Sequence, residues 1–128
     1  MRWSRAANRN LKKLEARSFK IHRAAMFRLA AQTDIRSPVD EGVFRANWFG
    51  AYGQIDRQTT ESASRDSVGA VNQLLGSDIH SNFFYYTNSL SYAQRLEYGW
   101  SLQASGGIVR LTARQFPRFV REAARMIK

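Results

Sequence analysis

Leu11-Lys12-Lys13-Leu14-Glu15-Ala16-Arg17-Ser18-Phe19-Lys20-Ile21 is the stretch whose reading decides the fold. At 100° per residue, Leu11, Leu14, Ser18 and Ile21 fall on one side of a helix, and Lys13, Arg17 and Lys20 fall on the other. Extended in both directions, the basic stripe takes in Arg2, Arg5 and Arg9, and its members lie within about 120° of one another. The apolar stripe takes in Ala7, Ala25 and Leu29. One long amphipathic helix over about 4–33 satisfies both, and the turn signal Ser37-Pro38-Val39-Asp40-Glu41-Gly42 must end it.

The C-terminus repeats the design. Arg114, Arg118, Arg121, Arg125 and Lys128 share one side, with Phe116, Phe119, Val120, Ala123 and Ile127 opposite. Proline is best tolerated in a first turn, so Pro117 predicts a helix start near 113 to 116, with Thr112 and Gln115 as a capping box. Both helices are expected to pack an apolar face on one core and to turn a basic face outward.

Between them the period shortens. Phe44, Ala46, Trp48 and Tyr52 alternating with Arg45, Asn47 and Ala51 predict a strand over about 43–54. Residues 54–63 read as a loop. Ser64 predicts the N-cap of a short helix carrying Val68, Val71, Leu74 and Leu75 and closed by Gly76. The run Phe83-Phe84-Tyr85-Tyr86 does not alternate, which predicts a strand covered on both faces, one cover being a helix of this chain and the other a neighbouring subunit. Ser91 and Gln94 match a capping box opening a helix from Tyr92 to Tyr98 that stops at Gly99. The expected fold is α+β: two long helices and short ones on a small, mostly antiparallel sheet, in one domain over 1–128 with an α+β body over about 37–128.

Charge is distributed as unevenly as hydropathy. The chain has 128 residues, no cysteine and a formal net charge of +10. Residues 1–28 hold nine Lys/Arg against Glu15, a net +8; residues 110–128 carry +5; the centre carries −3. Both basic stripes are almost free of acids, so Glu-to-Lys pairing at i, i+4 cannot neutralise them, and single-sign faces repel themselves. They point to an acidic or polyanionic partner.

Composition excludes zinc-thiolate sites, disulfide scaffolds and cysteine nucleophiles. No apolar run approaches the ~20 residues of a membrane span, and Met1 to Arg5 lacks the apolar stretch of a secretory signal. The first helix is too diluted by Ala and Ser to make a good interfacial helix, so no membrane partner is expected. Catalysis finds little support. Neither His22 nor His80 has an acid or serine at a motif spacing, and His22 reads as structural. Asp40 and Glu41 are adjacent and point apart. Ser105-Gly106-Gly107 is too short for a phosphate loop, and the acids are too scattered to ligate a metal, so no cofactor is expected. Non-specific DNA contact fits a pI near 10.9; a zinc-finger, RNP or helix-turn-helix signature is missing, so sequence reading of DNA does not.

Two segments go beyond these generic features. Ser37-Pro38-Val39-Asp40-Glu41-Gly42-Val43-Phe44-Arg45-Ala46-Asn47-Trp48 resembles a Pro-Val-Asp-Thr-Gly-x-Leu-Arg-x-Ser-Trp segment of the tailed-phage neck and tail-completion proteins. Tyr92-Ala93-Gln94-Arg95-Leu96-Glu97-Tyr98-Gly99-Trp100, followed by Gly107-Ile108-Val109-Arg110-Leu111-Thr112 and Phe116, is similar to the same family's second hallmark. With the long first helix, the resemblance spans nearly the whole chain; Glu41 departs from the usual small residue, and Ser105-Gly106 from a proline turn.

The resemblance implies a non-enzymatic α+β virion subunit, assembled in the host cytoplasm as a ring, commonly hexameric, at the head-to-tail junction. There it would join connector to tail around the DNA channel, or serve as the related tail terminator. In a different class, the chain would be a small non-specific DNA-binding protein. Interface candidates on the ring reading are Asp40, Arg45, Trp48, Tyr92, Arg95, Glu97, Tyr98 and Trp100. Candidates to face DNA or an acidic neighbouring protein are Arg5, Arg9, Lys13, Arg17, Lys20, Arg114, Arg118, Arg121 and Arg125. The motif residues also admit a role as fold determinants, Gly42 and Gly99 for the backbone and Trp48 and Leu96 in the core.

Overall fold

A computed structural model describes residues 2–38, 42–77, 81, 83–98 and 107–128. The long first helix, α1, runs Arg2–Arg36 and is followed by the short α2 (Val43–Ala46), β1 (Trp48–Tyr52), α3 (Ser67–Leu75), β2 (Phe84–Asn88), α4 (Ala93–Glu97) and α5 (Val109–Met126). This is the expected α+β arrangement, with a two-stranded antiparallel sheet. Its register pairs Trp48 with Asn88, Gly50 with Tyr86 and Tyr52 with Phe84. Two strands alone are at best marginally stable in water, so this sheet depends on the helices packed against it.

The core lies in two clusters. Met26 and Ala30 of α1 meet Val71 and Leu75 of α3, with Leu29, Tyr52, Phe84, Tyr86 and Phe116 at the margin. Phe44, Trp48 and Ile108 form the second, bordered by Leu90, Ala93, Leu96 and again Tyr86. Tyr86 therefore belongs to both, and its ring stacks on Trp48 at 5.4 Å between centroids. Burial and the nearby Asp34 carboxylate push its hydroxyl pKa well up, so it stays protonated. Gly50 is needed where α3 crosses β1: a Cβ there would come within 2.9 Å of the Phe84 ring and 3.0 Å of a Val71 methyl.

Helices α1 and α5 run antiparallel, held by arginines reaching across. Arg17 Nε and Nη2 donate to the carbonyls of Ile127 and Ala124 at 3.1 and 2.8 Å, meeting acceptors that the end of α5 leaves without helical partners. Arg36 donates to the Thr112 hydroxyl at 2.8 Å. Between them Arg28 pairs with Glu122 and lies over the ring of Phe119, which is buried.

Several local expectations are corrected. Residues 43–46 are a helical turn, not the start of a strand, and β1 is confined to Trp48–Tyr52. Gly42 opens the turn at φ 77, in the left-handed region. Asn47 then closes it, its side-chain amide donating to the carbonyls of Val43 and Thr60 while its oxygen accepts from Thr60 N. The N-cap of α3 is Asp66, accepting from Gly69 N at 2.9 Å, rather than Ser64, while Gly76 does close that helix. No side-chain capping hydrogen bond opens α4, which spans Ala93–Glu97. Helix α5 begins at Val109, leaving Pro117 in its interior. Thr112 lies within α5, with its hydroxyl turned back onto the Ile108 carbonyl. β2 is half-buried throughout within the single chain, a burial that leaves the expectation of a second cover from a neighbouring subunit standing, and Phe83 is exposed just before it.

The largest correction concerns α1. Only its C-terminal half packs on the body. Leu11 and Leu14, expected in the core, are 56% and 60% exposed, and Ala7 is exposed as well. At 1.5 Å per residue α1 is about 52 Å long, and α5 about half of that, so the first four turns extend as an arm.

The Arg28 hydrogen bond holds the Glu122 carboxyl below its ordinary pKa of 4.5. The stability this pair contributes is fully present above that value and is lost as pH falls through the lowered folded-state pKa. Thermal melts of the native chain and Glu122→Gln between about pH 7 and pH 3 are expected to converge at the acid end, because only the native chain has this ionisation to lose.

Candidate interaction surfaces

The basic candidates separate into free surface and fastening. Arg5, Arg9, Lys13 and Lys20 on α1 and Arg114, Arg118, Arg121 and Arg125 on α5 are exposed. Arg118 lies 3.6 Å from Glu122 as an i, i+4 pair, a contribution of little weight at this exposure. Arg17 differs: it is half-buried and bonded to the last carbonyls of α5, so its expected place on the outward stripe is corrected to a tie between helices.

The interface candidates divide in the same way. Trp48 is a core residue, 5% exposed, with its indole N–H donated to the Ser37 hydroxyl at 2.9 Å. It supports the turn instead of offering a surface. Arg45 is half-buried beside Asp34, with Nε 3.8 Å from the carboxylate. Burial raises the Asp34 pKa and Arg45 acts against that shift. Tyr92 is partly exposed and lies 6.1 Å from the Phe44 ring. Arg95 is exposed. Tyr98 is 64% exposed, with the Arg110 guanidinium 5.3 Å from its ring centre. Asp40 and Trp100 lie outside the described residues, as do Gly99 and His80.

Glu97 has a role that its position in the sequence did not announce. Its carboxylate accepts from the backbone N–H groups of Ile108, Val109 and, more distantly, Arg110, at 2.7, 2.6 and 3.3 Å to Oε1. These are the donors that the first turn of α5 leaves unpaired, and a negative charge there also favours the helix dipole. The Arg110 guanidinium returns to the Glu97 carbonyl at 2.6 Å. Gly107 passes between them at φ 94, where a Cβ would meet that carbonyl at 3.0 Å. Glu97 thus caps α5 from another helix.

Arg65 was likewise missed. Its guanidinium lies 3.7 Å from the centre of the Phe49 ring and donates to the carbonyls of Ala46 and Trp48, both at 2.8 Å. It fastens the loop before α3 to the start of β1. His22 is hydrogen-bonded to the Tyr52 hydroxyl at 2.8 Å and lies edge-on to Phe84, consistent with its structural reading.

Beside the second core cluster is an open cleft of about 440 Å³, its walls formed by Phe44, Trp48, Tyr86, Leu90, Ala93 and Ile108, with Gln94 at its edge. Among the described residues no group of three or more His, Asp or Glu is gathered as for a metal ion, and no helix is long and apolar enough to cross a membrane.

Replacing Arg17 with Gln is expected to lower stability by about 1–3 kcal/mol, the cost of charge-assisted hydrogen bonds to carbonyls. The triple change of Arg5, Arg9 and Lys13 to Gln should leave it within about 0.5 kcal/mol, as for other exposed positions. Denaturant melts compare the two directly. Glu97→Gln should cost about 1–2 kcal/mol through the weakened cap, with hydrogen exchange rising first at the amides of residues 108–110.

Comparisons with family models, with curated proteins and with solved structures return no match to this chain.

Proposed function

We propose that the chain is a structural subunit of the head-to-tail junction of a tailed phage, a non-enzymatic neck or tail-completion protein that assembles as a ring around the DNA channel. The observation that carries this reading is where the two family-like segments lie. Residues 37–48 and 92–112 are far apart in sequence, yet Phe44, Trp48 and Ile108 form one buried cluster against Ala93 and Leu96. Trp48 is tied to Ser37 and Glu97 to Ile108. A pair of motifs that folds into a single unit is what a shared architecture requires, and it gives their order and spacing a physical reason.

The surfaces support a ring as well. A closed ring uses a heterologous interface, in which two unlike faces of each subunit meet. The chain presents acid-poor helical faces and, over residues 34–66, a stretch of net −2. Exposed Tyr98 and partly exposed Tyr92 are aromatic anchors of the kind that interfaces favour. The exposed cations of α1 and α5 are suited to packaged DNA or to an acidic neighbouring protein, the connector or the tail terminator.

The chain is expected in purified virions, detected by mass spectrometry, in a copy number matching a ring. Tyr98→Ala should reduce its incorporation while leaving the melting temperature of the isolated protein unchanged. Tight duplex-DNA binding with a steep salt slope and no association with particles would instead support a small non-specific DNA-binding protein.

A further inference from the structure

The two basic rows, which belong to opposite ends of the sequence, are brought together by the antiparallel packing of α1 and α5. Arg17, bonded to the carbonyls of Ala124 and Ile127, sets the last turn of α5 beside the middle of α1. At that junction Lys13, Lys20 and Lys128 line one open groove of about 620 Å³. From it Arg9 and Arg5 lead outward along the arm. In the other direction Arg125, Arg121, Arg118 and Arg114 continue along the outer side of α5. Arg5 to Arg17 measures about 18 Å and Arg125 to Arg114 about 17 Å, so the rows placed end to end extend over about 35 Å.

The seam between the helices keeps the same sign. Arg28 from α1 and Arg118 from α5 lie 4.3 and 5.8 Å from the centre of the buried Phe119 ring. The acid between them, Glu122, is bonded to Arg28, and its carboxyl is lowered first by that bond and further by the charges of Arg28, Arg118 and Arg125. Glu15 is on the opposite side of α1 from Lys13, and Asp34 is beside Arg45. Cations of both helices therefore share one surface.

The character of that surface selects its partner. A protein-binding patch has a core from which charges are depleted. Here the ring at the seam is buried, and the exposed residues facing outward from α5 are Arg114, Pro117, Arg118, Arg121 and Arg125. Surfaces that bind DNA are instead polar and strongly positive, and a guanidinium meets a phosphate with two parallel N–H donors. The length of the array matches one turn of B-DNA, about 34 Å, along which the duplex carries a negative charge every ~1.7 Å. A single-sign row at helical spacings suits such a uniformly charged rod.

We infer that α1 and α5 together form one face for duplex DNA, on which arginines and lysines of both helices contact the phosphate backbone without reading sequence. This goes beyond the junction reading, which admits either DNA or an acidic neighbour at these cations, and it does not require a ring.

The isolated chain is titrated onto a fluorescent duplex of about 24 base pairs at several salt concentrations. Binding is expected, with log K falling against log salt at a slope of about −5, as for roughly six neutralised phosphates. Two paired changes test the shared face: Arg9→Gln with Lys13→Gln on α1, and Arg114→Gln with Arg121→Gln on α5. Each pair should reduce the slope by about 2 and leave the melting temperature unchanged, because all four positions are exposed. Arg57→Gln, at an exposed position between β1 and α3, should not alter the slope. Poly-glutamate is expected to displace the duplex about tenfold less well than unlabelled duplex of equal charge. A slope changed by only one of the two pairs overturns the shared face. Poly-glutamate competing as well as duplex overturns DNA as the partner in favour of an acidic protein. Absence of duplex binding at about 50 mM salt overturns the inference altogether, and a chain then found in virions leaves the junction role standing. The expected slopes from a chain absent from virions uphold the face and remove the junction role.

Discussion

The unequal length of two antiparallel helices governs this molecule. Helix α5 has 18 residues and α1 has 35, so α5 can cover only about half of its partner. Everything compact gathers on the covered half: α3 against Met26 and Ala30, the sheet beneath, and the turn that Trp48 holds to Ser37. The uncovered half keeps the same alternation of apolar and basic sides, and its leucines stay exposed. Helices of this length in water owe their stability mainly to tertiary packing of an apolar face, and here the packed half anchors the free one.

Arginine does most of the fastening. Arg17 takes the last carbonyls of α5, Arg36 reaches the Thr112 hydroxyl inside it, and Arg65 ties carbonyls on either side of Asn47 while lying on Phe49. A planar guanidinium suits these places because it carries several donors in fixed directions and stacks on rings at modest desolvation cost. The basic composition of the chain therefore combines two populations, cations that hold helices and loops together and cations that face solvent. A net charge cannot tell them apart, and neither can a helical wheel.

The degree to which the fold was legible follows from the range of the forces involved. The face of α1 was legible because amphipathic periodicity is local: Ile21, Ala25 and Leu29 turn inward as the stripe requires. Whether that face is covered is decided by another helix, so the same periodicity points Leu11 and Leu14 to a core that does not extend to them. Phe44 and Trp48 alternate like strand residues but are also four apart, a spacing that a helical turn satisfies equally. The deciding bonds came from Asn47 to Thr60, thirteen residues on. The start of α5 lies beyond any local capping pattern because its cap, Glu97, precedes it by twelve residues. Among the candidate surfaces, Trp48, Glu97 and Arg17 proved to be fasteners for this reason, while Tyr98 and the outer arginines of α5 are on the surface as their sequence context suggested.

The clamp between Glu97 and Arg110 sets where α5 begins. Carboxylate on amide at one side and guanidinium on carbonyl at the other join the last turn of α4 directly to the first turn of α5, with Gly107 making the close approach possible. The register of these two helices is therefore written in residue 97 and residues 107–110 themselves, and the basic face of α5 is held in position by a carboxylate twelve residues ahead of its first turn.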